Sequence, residues 1–281
     1  MSFGSLIGTD TPRDLAGWVS CFDARELPVL RSSAVILEEL RSNEEAVDAH
    51  LLAESFGHDP LMTLKVMAYL AELRQGRDGT DAETLTAALV MLGITPFFLH
   101  FGPQPSVEEQ LSLHSEATEG FRAVLTRCHR AARFALAFAV QRIDHDAAVI
   151  HDAALLHDFA ELLMWFRAPA LAGEVARRQR LDPSLRSAVV QRDIYGVALP
   201  DLQHALMLKW RLPALLTDFT DDHREHVSAQ ARCVWLAIRL ARHSAIDWDN
   251  LALADDVRDI ASLLNMSAEP TLTLLRDIDV D

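Results

Sequence analysis

An adjacent His157-Asp158 pair sits inside residues 153–166, a run that is otherwise almost wholly apolar. Leu155, Leu156, Phe159, Leu162, Leu163 and Phe166 leave no wide polar face, so the sequence predicts one buried helix through the pair. A buried carboxylate is costly unless it is paired, hydrogen-bonded or bound to a metal, so Asp158 needs a partner inside the fold. His129 lies near the middle of an amphipathic helix predicted over residues 121–142, and His204 lies on a later helix. His129, His157, Asp158 and His204 together make an imidazole–carboxylate set that could hold Fe, Mn or Zn. A metal bound there would make water nucleophilic near neutral pH. The plainer alternative is a hydrogen-bonded polar pair that staples the core and holds no metal.

Other chemistry is sparse. The chain carries no Gly-rich phosphate loop, no nucleophile elbow and no pair of carboxylates placed for acid–base work. His223 and His226 have ligand-like spacing, but in Asp221-Asp-His-Arg-Glu-His they read as a solvated loop. Cys21, Cys128 and Cys233 are scattered and form no CxxC pair, so they read as free thiols in a reducing compartment. The five tryptophans read as core or lobe-contact residues and not as a base-stacking platform.

Charge narrows the partners. A formal net charge of −15 argues against nucleic acid and anionic membrane surfaces, both of which need a basic footprint. Lys65 and Lys209 are the only lysines; the remaining basic side chains are arginines. The densest basic stretch, residues 177–192, alternates with apolar residues at helical spacing, as a solvated helix face does. No signal-peptide pattern opens the chain and no apolar run reaches membrane-spanning length, which points to a soluble, cytoplasmic protein.

The elements that must position these residues are helices. Ala, Leu, Arg and Glu dominate the 281 residues, Gly and Pro are few at 11 each, and strand-length β-branched runs are scarce. The fold class expected is all-α, as two packed helical lobes. Residues 1–26 read as an arm or docking helix, residues 27–115 as a lobe of short helices, and residues 116–281 as a lobe of longer ones. Asp48 is placed to cap a helix from Ala49, and Asp59 with Pro60 to start another. Thr80 or Asp81 should cap residues 82–92, with Gly93 ending that helix, and residues 94–105 read as irregular.

With these motifs in order, the chain resembles a known family. A histidine on one helix and a His-Asp pair on the next are similar to the HD superfamily of metal-dependent phosphohydrolases. More of the chain resembles its HDOD branch, the HD-related output domain of bacterial signalling proteins. The similar segments are Leu27-Pro-Val-Leu, His58-Asp-Pro-Leu-Met-Thr-Leu-Lys, Ala87-Ala-Leu-Val-Met-Leu-Gly93, Ala154-Leu-Leu-His-Asp158 and His204-Ala-Leu-Met-Leu-Lys-Trp-Arg-Leu-Pro213. They span roughly residues 25 to 245, and the second lobe would be an HD-like bundle. The resemblance implies a signalling protein that binds a partner protein or small ligand. It also exposes departures. Ile238 stands where HD hydrolases carry a late metal-binding Asp, Ala160 replaces a usual Gly, and Glu161 stands where a basic residue is common. An aliphatic side chain cannot ligate a metal, so the expectation is a non-catalytic regulator with no cofactor. The alternative is a phosphohydrolase that recruits a substitute ligand such as Asp193, Asp247 or Asp255.

Overall fold

A computed structural model describes residues 11–75, 82–182, 184–219 and 228–280. Among them the regular structure is all α-helical, with two short 3-10 turns. The one extended contact among these residues is an isolated parallel bridge between Val29 and Ser106. The chain forms two compact units that interleave along the sequence, where consecutive lobes were expected. The first unit comprises residues 1–124 and 158–213, and the second comprises residues 125–157 and 214–281.

The first unit is built around the helix Pro60–Leu73, which is apolar on nearly every side and buried accordingly. Asp59 starts it as expected: Oδ1 accepts from the Leu61 and Met62 amides at 2.9 and 3.1 Å. Its other oxygen accepts from the Leu30 amide at 2.8 Å, which ties the Leu27-Pro-Val-Leu segment to the helix start. Burial pushes the Asp59 carboxyl up while these bonds pull it down. Leu37, Leu52, Phe56, Leu89 and Phe97 close a continuous core with Val66 of this helix. Asp48 caps Ala49–Phe56 through the Leu51 amide, again as expected.

Two local expectations fail here. Thr80 and Asp81 lie outside the described residues; the helix is Leu85–Leu92, capped by Thr84 through the Ala87 amide. Residues Ile94–His100 are helical, not irregular. Their prolines mislead because Pro96 falls in the first turn, where a missing N–H costs nothing.

The N-terminal arm is a short docked helix, Leu15–Ser20, capped by Asp14 and built into the first unit. Trp18 is fully buried, and its indole donates to the Tyr195 carbonyl at 2.9 Å. Gly196, just past the helix Ser187–Tyr195, has φ +78°, and the Arg13 carbonyl lies 1.9 Å from where a Cβ would be. Only glycine accepts both demands.

In the second unit, Ala147–Leu156, Ala229–His243, Leu253–Leu264 and Ala268–Val280 pack with the C-terminal half of the long helix Ser115–Gln141. Arg130 grips Asp279 with two bonds of 2.7 and 2.8 Å and also reaches the Ser244 hydroxyl. Arg239 lies 2.6 Å from Asp256 and bonds Asp259 at 2.6 Å, and His243 Nδ1 meets Asp256 at 2.7 Å.

Candidate functional site

The buried helix predicted through His157-Asp158 is in fact two. Ala147–Leu156 ends at His157, and Phe159–Arg167 begins after Asp158, whose ψ of 19° takes the chain out of the helix. Asp is a poor helix-interior residue because its side chain competes for nearby backbone groups. The turn stays invisible to periodicity because residues on both sides of it are apolar. His157 and Asp158 are both buried, at 6% and 8% exposure, so the expected burial holds although the helix does not. Both make interactions within the protein.

The four candidate metal residues divide between the units. His129, half-buried on Ser115–Gln141, and His157 belong to the second; Asp158 and His204, half-buried on Leu199–Lys209, belong to the first. Among the described residues, no group of three or more His, Cys, Asp or Glu side chains is arranged to hold a metal ion. Ile238, which the resemblance to HD hydrolases sets at the place of a late carboxylate, is buried in the apolar face of Ala229–His243. His223 and His226 lie outside the described residues.

The cysteines are free thiols, and burial pushes the Cys233 thiol up to about 11, which disfavours its thiolate. No helix among the described residues is long and apolar enough to cross a membrane.

The comparison that decides the family is direct. The HDOD domain model matches residues 27–226. The chain belongs to the HDOD family. No curated protein matches it. Among solved structures, the MmoQ response regulator of Methylococcus capsulatus str. Bath superposes with a TM-score of 0.66 at 18% identity, covering 88% of this chain and 97% of that one. A virulence factor from Campylobacter jejuni subsp. jejuni gives 0.65 at 17% identity, covering 89% of each chain. An HDOD domain protein of unknown function from Geobacter sulfurreducens gives 0.51 at 16% identity, covering 95% and 93%. At such identities these likenesses establish the HDOD fold and nothing more.

One feature of this HDOD chain escaped the sequence reading. The first unit contains a half-open cavity of about 310 Å³ whose wall includes both lysines, Lys65 and Lys209. Lys65 comes from the central helix and donates to the Arg25 and Leu27 carbonyls; Lys209 donates to those of Val19 and Phe22 at 2.8 and 2.7 Å. Burial pulls Lys65 down to about 8. Tyr69 and His100 stack at 3.4 Å between ring centroids on the same wall, and burial holds His100 below the ordinary imidazole value. The signal was available: two lysines in a chain that otherwise uses arginine, one of them in the middle of an apolar helix.

Proposed function

We propose that this protein is a non-catalytic regulator that acts by binding, either to a signalling protein or to a small ligand. The observation that carries this reading is Ile238: an aliphatic side chain, buried, at the position where a hydrolase of this superfamily needs a carboxylate. The His157-Asp158 pair then works as a buried polar joint at the point where the chain passes from the second unit back to the first. The regulatory name of the MmoQ structure agrees with such a role.

A phosphohydrolase with a substituted ligand is the competing reading, favoured by the burial of His157 and Asp158 together. The test is turnover of bis-p-nitrophenyl phosphate and of nucleotides with added Mg²⁺, Mn²⁺ or Fe²⁺, alongside metal analysis of untagged protein. The regulator reading expects no turnover above the protein-free rate and metal well below one equivalent. Turnover that disappears in His157→Ala would replace it with the hydrolase.

A further inference from the structure

The wall of the first-unit cavity departs from the charge of the rest of the chain. Acids outnumber Lys and Arg by 41 to 26 overall, yet Arg25, Lys65, Lys209 and Arg211 here face only two carboxylates, Asp23 and Glu72. Nor are the donors fully used. Each lysine ammonium carries three N–H groups and gives two to carbonyls, which leaves one apiece. Arg25 spends Nε and one terminal N–H on Asp23. The Arg211 guanidinium makes no ion pair among the described residues, and the buried Trp210 indole N–H has no acceptor there.

Arg211 is also held in an unusual backbone state. The helix Leu199–Lys209 ends with the Leu212 amide bonding the Met207 carbonyl at 3.0 Å and the Arg211 amide bonding that of Leu208 at 3.2 Å. This closure puts the intervening residue in the left-handed region, where glycine is usual, and here Arg211 has φ +53°. An arginine in that position is strained relative to glycine, and it places a guanidinium at the cavity wall. Opposite chemistry lies beside the donors: the Tyr69–His100 stack, Phe101 and Trp210 supply flat apolar surface.

We propose that this cavity binds a small organic anion made of an aromatic ring and one phosphate or carboxylate. Arg211, Arg25 and the free N–H groups of Lys65 and Lys209 hold the anion, and the aromatic side chains hold the ring. The proposal gives a site and a ligand class to the binding function proposed above and rests on that reading for its meaning. Binding is scored separately from turnover, so the two fail independently.

The test is calorimetric titration of the full chain with adenosine 5′-monophosphate and, separately, with benzoate. Arg211→Gln, Trp210→Phe and the parent protein are compared, and thermal unfolding serves as the control for folding. Saturable binding of either probe, weakened at least about tenfold by Arg211→Gln at unchanged thermal stability, is the expected result, because one charge-assisted contact contributes about that factor. Trp210→Phe should change the intrinsic fluorescence response on binding. Saturation by either probe supports the site. Failure of both to saturate at millimolar concentration, or equal binding by Arg211→Gln, overturns the proposal.

Discussion

The two units spend their polar side chains differently. In the first, ion pairs such as Arg177 and Arg178 with Glu174 lie towards the surface, and the more shielded side chains bond backbone: Asp59 holds three amides, Lys65 and Lys209 hold two carbonyls each, and the Trp18 indole holds the Tyr195 carbonyl. In the second, side chains mostly bond side chains: Arg130 to Asp279, Arg239 to Asp256 and Asp259, His243 to Asp256. Backbone anchoring fixes where a segment between regular helices runs, and residues 21–30, between Leu15–Ser20 and Arg31–Arg41, are such a segment. Ion pairs instead fix one regular helix against another. The first unit therefore answers chiefly to backbone substitutions and to the state of its lysines, and the second to acid and to salt.

The largest effect should come from the seat of the N-terminal arm. Gly196→Ala adds a Cβ at φ +78° with the Arg13 carbonyl 1.9 Å away, so both the helix end and the arm must shift. A loss of about 3 kcal/mol or more is expected by chemical denaturation, since a left-handed alanine and a displaced backbone both contribute. Limited proteolysis should then cut near residue 20 at a rate the parent does not show. A variant of unchanged stability and unchanged cleavage would mean that the arm does not depend on this seat.

The second effect separates the units by pH. Lys65 titrates near 8 when folded and near 10.5 when unfolded. Between those values the unfolded chain binds more protons, so the stability contribution rises with pH across this window, by up to about 3 kcal/mol. Lys65→Met removes the slope. It also leaves the Arg25 and Leu27 carbonyls without their donor, so the variant should be less stable than the parent above pH 10. Urea unfolding at pH 7.5, 9 and 10.5 measures both. A parent curve that is flat over this range, once corrected by the variant, would show that Lys65 keeps its ordinary value.

Much of the fold could be read from the chain because helix starts are local. Asp48, and Asp59 with Pro60, announce their helices through side-chain and backbone chemistry that needs no tertiary partner. The all-α class followed from composition alone. The break at His157-Asp158 could not be read, because a turn flanked by apolar residues on both sides has the same pattern as a buried helix. The interleaving of the two units was equally hidden, since no Gly- or Pro-rich linker marks residues 124, 158 or 213. The cavity was half visible. Lys65 stands out as a charge in an apolar helix, yet its neighbours Arg25, His100 and Arg211 come from segments that only the tertiary fold brings together.

The smallest of the three effects tests the second unit. Asp279 is half-shielded, and burial alone would raise its carboxyl, but the bonds from Arg130 and the Trp248 indole hold it below the usual value. Its folded affinity for protons is thus lower than that of the unfolded carboxylate near 3.8. The contribution is complete above that pH and disappears as pH falls through the folded value. Asp279→Asn keeps the shape but removes the charge, so it should cost about 2 kcal/mol at pH 7 and progressively less as pH falls below 3.8 and the parent carboxyl takes up its proton. The loss at pH 7 should shrink in 1 M salt, because the pair is only partly shielded from solvent. Gly196→Ala should lose the same stability at both salt concentrations. If salt moves both variants alike, the division of labour between backbone anchoring and ion pairing does not hold.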